Sequence, residues 1–250
     1  MADEIEYRIH GSDMQMVEIA LDPGEGVICE AGAMVFTSGN IEMQTTILGG
    51  VIGGLKRKIT GETFFMTSFY NRGRGKEYVA FAAPYPGRII PIHLGRIGGE
   101  ILCQKRSFLC AADGTKLELA MKLRAGLLGG EGFILQRLIG NSLAFIHAGG
   151  TILGKQLAFG EEMKIDTGCL VAFSPTVTYD IRFVGGVRNA LFGKEGFFLA
   201  NLQGPGMVFV QSLPLSRLAD SIFATKRRYF DKKQLSKEGE RNKLTGQLNS

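Results

Sequence analysis

Acidic residues recur at matching places along the chain, which is one way to build a charged site. One set follows a glycine near the start of each of three similar segments, and a second set lies beside a glycine further along. Three like carboxylates near one axis repel each other and favour a cation or a basic partner. The simpler interpretation is a solvated turn before each strand. Whether either set forms a site stays open; the sets are Glu25, Glu100 and Glu161, and Glu62, Glu131 and Glu195.

Histidine provides no recognisable metal site. The three histidines, His10, His93 and His147, stand far apart, and no His-x-His spacing of a cupin-like site occurs. In the repeat described below, Ala83 and Gln211 take the place of His147, so we expect no ring of histidines.

Serine and glycine patterns also lack the features of known catalytic sites. Ser38 and Ser174 recur in Ser-Gly and Ser-Pro turns, where a hydroxyl caps backbone amides. No Gly-x-Ser-x-Gly sequence is present, and the glycine pairs at 49–54 and 185–186 lack the Gly-Lys-Ser/Thr ending of a phosphate loop. We therefore predict no catalytic, metal-binding or cofactor-binding residues, no cofactor and no enzymatic activity.

The basic charge of the chain is concentrated in its last 25 residues. The formal net charge is +5, and residues 226–250 carry eight Lys/Arg and three acids, which accounts for all of it. Together with two aromatic residues, these cations can bind nucleic acid or an anionic membrane surface. The tip of an expected hairpin carries two further cations, which are arginines. The candidate interaction residues are Lys226, Arg227, Arg228, Lys232, Lys233, Arg72 and Arg74.

Composition indicates a globular protein of the cytoplasm. The first residues are acidic and lack the apolar segment of a secretory signal, and no run of about 20 apolar residues occurs. The four cysteines have neither zinc-ligand nor Cys-x-x-Cys spacing, so we expect reduced, mostly buried thiols. The 35 glycines are about twice the usual share of ~7% and favour many tight turns.

An internal repeat determines the expected architecture. Residues 24–55 align without gaps on residues 160–191, with nine identities in 32 positions. A third, more diverged copy lies between them, beginning at Gly99-Glu100 and placing Leu109-Cys110 on Met34-Val35. Each copy closes on a similar strand containing a phenylalanine, with a spacing of 64 residues; these are Phe81, Phe145 and Phe209.

Short runs with partial alternation, bounded by Gly, Pro, Ser and Asn, predict an all-β fold. We expect three tandem β-sandwich repeats, at about 5–83, 84–148 and 149–211, packed about a pseudo-threefold axis in one domain, 1–213. Apolar residues at helical spacing predict an amphipathic helix over 214–225, followed by the basic tail 226–250. The stripe consists of Leu215, Leu218, Ala219, Ile222 and Phe223.

The Gly-Glu starts, the Gly-Gly-Val loops and the Gly-Glu-x-Phe-Phe strand resemble a family of bacterial and archaeal proteins related to the mitochondrial biogenesis protein of the altered-inheritance-of-mitochondria group. The resemblance covers most of residues 5–225. It implies a fold similar to the trp RNA-binding attenuation protein, repeated within one chain, and for eukaryotic relatives a role in inner-membrane organisation. It supplies no catalytic residues.

The functional prediction is a non-enzymatic scaffold or protein-interaction module that self-associates into a homo-oligomer. One alternative is an RNA- or polyanion-binding protein, by analogy of fold and through the basic tail. A second alternative is a small-ligand binder or an enzyme of an unrecognised kind, using a pocket between repeats.

Overall fold

A computed structural model describes residues 5–48, 64–123, 133–184 and 197–226 of the chain. Those residues form nineteen β-strands, three short 3-10 turns and one α-helix, α1, at 215–226. The first ten strands are β1 Glu6–His10, β2 Met16–Leu21, β3 Gly26–Glu30, β4 Met34–Thr37, β5 Ile41–Leu48, β6 Phe64–Asn71, β7 Glu77–Ala82, β8 Arg88–His93, β9 Glu100–Gln104 and β10 Phe108–Ala112. The others are β11 Lys116–Leu123, β12 Phe133–Ile139, β13 Leu143–Ala148, β14 Ile152–Leu157, β15 Glu162–Asp166, β16 Leu170–Phe173, β17 Thr178–Val184, β18 Phe197–Gln203 and β19 Gly206–Gln211.

The chain divides into two compact units, Met1–Ser212 and Leu213–Ser250. All nineteen strands belong to the first unit, and α1 belongs to the second. The amide of Leu218 donates to the carbonyl of Pro214 at 3.2 Å, as expected where proline opens a helix. The predicted helix is thus confirmed with its start shifted by one residue.

The strands form four sheets, and every pair of neighbouring strands in them is antiparallel. The prediction of an all-β fold is therefore confirmed. Sheet 1 has the order β1-β2-β7-β4, sheet 2 β5-β6-β3-β10-β13-β8, sheet 3 β11-β12-β9-β16-β19-β14, and sheet 4 β15-β18-β17.

The same connections occur in three successive groups of six strands, β2–β7, β8–β13 and β14–β19. In each group the first and third strands flank the sixth, and the second and fourth flank the fifth. The third strand of each group also carries a bulge, between Met34 and Phe36, Phe108 and Cys110, and Leu170 and Ala172. A pseudo-threefold axis, the likeness to the attenuation protein and the limits of the repeats stay predictions.

These registers correct the alignment of the second group by one residue. One backbone hydrogen bond recurs in the three groups: the amides of Asn71, Gly140 and Gly204 donate to the backbone carbonyls of Glu25, Gly99 and Glu161 respectively, each at 2.9 Å. Gly99 therefore takes the place that the alignment had given to Glu100. Glycine-rich boundaries allow such a slip, because they contain no large side chain that fixes the register.

The bulge and the closing strand require the same correction. Cys110 lies in the place of Phe36 rather than Val35. Ala80, not Phe81, corresponds to Phe145 and Phe209. The expected equivalence of the three phenylalanines was therefore wrong, although they are evenly spaced in the sequence.

Three apolar cores separate the four sheets. The first joins sheets 1 and 2 and contains Phe69 and Phe81, whose rings meet edge to face at 5.4 Å. The second joins sheets 2 and 3, and the third joins sheets 3 and 4. Because sheets 2 and 3 are covered on both faces, strands such as Phe108–Ala112 and Leu143–Ala148 are buried at every position.

A buried asparagine holds the turn that follows β6. The Asn71 Nδ2 donates to the carbonyls of Leu21 at 2.7 Å and Gly75 at 2.8 Å, and its Oδ1 accepts from the amide of Gly73 at 2.8 Å. The side chain thereby satisfies one backbone group of β2 in sheet 1 and two in the turn that connects β6 of sheet 2 to β7 of sheet 1.

We expect Asn71→Ala to lower the free energy of unfolding by about 3 kcal/mol, because it leaves buried backbone groups without partners. Urea denaturation of the two proteins measures the difference. Asn40→Ala is the matched control: Asn40 is exposed, and among the described residues its side chain donates only to Glu77, at 2.6 Å, so a loss below about 1 kcal/mol is expected. Equal losses in the two variants would contradict the role of Asn71.

Candidate functional site

The outer edge of sheet 1 exposes three consecutive apolar side chains. Met34, Val35 and Phe36 on β4 are 41%, 50% and 41% exposed. Among the described strands, β4 pairs with β7 alone, so its other edge has no strand beside it. The corresponding residues of β10 and β16 are all buried: Phe108, Leu109, Cys110, Leu170, Val171 and Ala172.

The strand β15, at the edge of sheet 4, is the counterpart of β4: it is a second strand of its group with no partner, among the described strands, beyond its own group. Within the described part of the chain, β15 pairs only with β18, while the corresponding strands β3 and β9 each pair with a second neighbour. Ile165 is buried and Met163 half-buried, whereas Glu162 and Lys164, which alternate with them, are exposed. The core side of this edge is therefore apolar and its opposite side is charged.

Sequence reasoning placed Met34-Val35 in the repeat but did not identify this segment as an interaction site. The signal was the uninterrupted apolar run, which is equally suitable for a buried strand. Its exposure depends on which strands pair across the sheets.

Arg72 and Arg74 lie in the turn between β6 and β7, and the expected hairpin there was wrong, because β6 belongs to sheet 2 and β7 to sheet 1. The two arginines differ in their contacts. Arg72 forms an ion pair through Nε with Glu42 Oε2 at 2.5 Å, and its guanidinium lies 5.1 Å from the centre of the Tyr70 ring. Hydrogen bonds from Arg72 and Gln44 lower the pKa of the Glu42 carboxyl. Arg74 is exposed at the turn. Only Arg74 of the two thus presents its charge without an opposing carboxylate among the described residues.

The basic tail is described at one position only. Lys226 is exposed in α1. Arg227, Arg228, Lys232 and Lys233 lie outside the described residues, and their predicted role stays a prediction.

The first set of recurring glutamates does not converge on one site. Glu25 accepts a hydrogen bond from the Asp22 amide at 2.7 Å, and Glu161 accepts one from the Ala158 amide at 2.9 Å, so both cap turns. The Ala158 amide and Lys155, at 2.9 Å, lower the pKa of the Glu161 carboxyl. Glu100 instead pairs with Arg137 at 2.9 Å.

The second set, Glu62, Glu131 and Glu195, lies outside the described residues. Across the four described ranges, no group of three or more His, Cys, Asp or Glu side chains could hold a metal ion.

Ser38 and Ser174 have matching structural roles. The Ser38 Oγ accepts from the amide of Tyr78 at 3.0 Å, and the Ser174 Oγ accepts from that of Met207 at 3.1 Å. The prediction that these hydroxyls cap backbone amides is confirmed.

Buried thiols and one half-buried carboxyl lie near the pairing of β3 with β10. Cys29 and Cys110 are opposite each other across that pairing, and both are free. Burial, with a smaller effect from Glu30, raises the pKa of Cys29 to about 12. Burial also raises the pKa of Glu30, partly opposed by the positive charges of Lys105 and Arg106. Thiols of such high pKa remain protonated and are poor nucleophiles at neutral pH.

His147 is buried in β13, and its Nδ1 has no hydrogen-bond partner among the described residues. Its ring meets Tyr85 edge to face at 4.7 Å, and a Cβ at Gly87 would lie 2.5 Å from its Nε2. Burial lowers its pKa to about 4. The strand registers place Ala82, rather than the expected Ala83, and Gln211 at the corresponding positions.

Taken together, the four antiparallel sheets define an all-β protein in which β4 and β15 are open strand edges within the described part of the chain. Residues 7–213 match the family model described as Mitochondrial biogenesis AIM24, and the chain belongs to that family.

Similar proteins come from Streptococcus pyogenes. An uncharacterised protein of serotype M6 is 30% identical over 224 residues, which is 83% of this chain and 85% of that protein. The crystal structure of a second S. pyogenes protein, from a structural genomics consortium, superimposes with a TM-score of 0.71 at 26% identity, covering 90% of this chain and 100% of that one. No helix in the described ranges is long and apolar enough to cross a membrane.

We expect His147→Gln to reduce the dependence of stability on acid pH. The folded-state pKa of about 4 lies below the ordinary histidine value of 6.5, so the unfolded chain binds a proton first as the pH falls. The stabilising effect of neutral His147 is therefore complete above pH 6.5 and declines towards pH 4, by roughly 2 to 3 kcal/mol.

Urea denaturation between pH 4 and 8 measures this effect as the difference between wild type and variant. Glutamine suits the test, because buried Gln211 makes two hydrogen bonds at the corresponding position. Glu30 titrates in both proteins, so its contribution cancels in the difference. Parallel curves for the two proteins would show that His147 does not titrate as stated.

Proposed function

We propose that this protein is a non-catalytic scaffold that binds other protein chains, including copies of itself, through the open edge of sheet 1. The observation that carries the proposal is the exposure of Met34, Val35 and Phe36 on an unpaired strand edge. An edge strand offers backbone groups to a partner, and natural proteins usually protect such edges with charge or proline. Neither protects β4, whose sequence is MVFT.

The contrast with the corresponding strands supports this role. β10 and β16 have the same bulged pairing to their neighbours, yet each is covered by a further strand and buried. The backbone of β4 is thus shaped for a second partner strand. Covering it would remove apolar side chains from water and satisfy backbone groups at the same time.

The chemistry of the described side chains favours a non-catalytic role in the cytoplasm. The two serines that recur in the repeat accept hydrogen bonds from backbone amides, and the buried thiols have raised pKa values. None of the four cysteines, all of which lie in described ranges, forms a disulfide, which suits a reducing compartment. Binding of nucleic acid or an anionic membrane through the tail stays a prediction.

We expect Phe36→Glu to weaken self-association at least tenfold. A carboxylate at the centre of the apolar edge must lose its hydration when a partner strand covers it, and a factor of ten corresponds to about 1.4 kcal/mol. Light scattering at a series of concentrations measures the mass relative to the 27.2 kDa of one chain.

The matched control is Phe159→Glu, because Phe159 is 91% exposed and lies outside β4. It should associate like wild type. If wild type remains a single chain at every concentration, the self-association in this proposal is wrong. Equal weakening by both substitutions would exclude β4 as the specific surface.

A further inference from the structure

The chain forms one particular joint between sheets twice. At the first joint, β3 pairs with β10, and Cys29 lies opposite Cys110. At the second, β9 pairs with β16, and Cys103 lies opposite Ala172. In both cases the second strand of one group meets the third strand of the next, and the joint turns two half-sheets of three strands into one sheet of six.

The two joints share one register. Cys29 and Cys103 have the same place in their groups. Each is the last residue but one of the second strand, which pairs on its other side with the fifth strand of its group. Cys110 and Ala172 are both the first residue after the bulge. The next opposed pairs, Ala111 with Ile28 and Phe173 with Leu102, keep the same offset.

One strand of each kind is left over within the described part of the chain. β15 is the second strand of the third group and is the open edge of sheet 4; β4 is the third strand of the first group and is the open edge of sheet 1. Transferring the register of the two joints places Ile165 opposite Phe36 and Lys164 opposite Thr37.

We propose that β15 of one copy of this chain pairs antiparallel with β4 of a second copy in this register. The combined sheet would have the order β17-β18-β15-β4-β7-β2-β1, which is the order of sheets 2 and 3 with β1 added at the far edge. Phe36 would then share the apolar side of the joint with buried Ile165, as Cys110 does with Cys29.

The side chains at this joint suit the two copies. Thr37 is half-buried and Lys164 exposed, so this opposed pair lies on the side that accepts polar groups. Glu162 lies on the same side as Lys164, while Met163 and Ile165 face the core. The charges of β15 therefore remain in water when its backbone edge is covered.

The contact is head-to-tail, because it joins two different edges. Each copy keeps one open β4 or one open β15 after a single contact, so further copies add until the assembly closes into a ring or extends as a filament. This inference rests on the proposed function, of which it names the partner strand and the register.

Cross-linking of exposed cysteines tests the register. Purified Thr37→Cys and Lys164→Cys variants of the full chain are mixed with oxidised glutathione, which takes up the two electrons and two protons released when the disulfide forms. Directly opposed residues have Cβ atoms about 4.5 to 5.5 Å apart, close to disulfide geometry. We expect a linked pair of chains in the mixture, at least tenfold more abundant than in either variant alone.

The control mixture pairs Thr37→Cys with Glu162→Cys, whose Cβ atoms would be about 7 to 8 Å apart along the diagonal. Wild type measures linking through the native cysteines. Equal linking in the control mixture overturns the register. Absence of linking, in a protein that associates and loses association with Phe36→Glu, overturns β15 as the partner while the proposed function stands.

The double variant Thr37→Cys/Lys164→Cys distinguishes a joint between two copies of the chain from a joint within one copy. Linking between chains that rises with concentration supports the inference. A link formed within single chains, independent of concentration, shows that the two edges close on each other in the same molecule and overturns it.

Discussion

Pairing between the second strand of one group and the third strand of the next is the interaction on which the rest of the structure depends. The pairings of β3 with β10 and of β9 with β16 turn half-sheets of three strands into sheets of six. Without them each group would be a small sandwich of two three-stranded half-sheets with four open edges, and a unit of about 60 residues buries only enough surface for marginal stability. With them, sheets 2 and 3 gain cores on both faces.

The same constraint explains where polar chemistry is placed. Within sheets 2 and 3, polar side chains satisfy buried backbone groups: Gln211 accepts from the amide of Gly149 and donates to the carbonyl of Gly168. Thiols and one carboxyl near the first joint have raised pKa values because burial penalises their charged forms. Within the described ranges, sheet 1 has a core on one face only, and its edge strand β4 leaves apolar side chains such as Phe36 exposed where a further strand can cover them.

The strands and the helix were predictable from local pattern, because alternation, turn residues and helical spacing act within about ten residues. That Ser38 and Ser174 accept from backbone amides was predictable from their turn sequences, whereas the amides themselves, of Tyr78 and Met207, lie 40 and 33 residues away and are set by strand pairing. The candidate site was not. The apolar run of β4 reads like those of β10 and β16, and only their partners distinguish an exposed edge from a buried strand. The place of Glu100 was missed because one glycine more or less leaves the pattern unchanged.

The sequence by itself determined the all-β class, the number of similar segments to look for, the terminal helix and the confinement of net positive charge to the last 25 residues. These properties depend on residue types and short spacings. Only the tertiary structure decided the register of the segments, the burial of His147 and Cys29, and the open edges at β4 and β15. The physical reason is that strand pairing joins residues distant in sequence, so exposure is a property of the neighbour as much as of the strand.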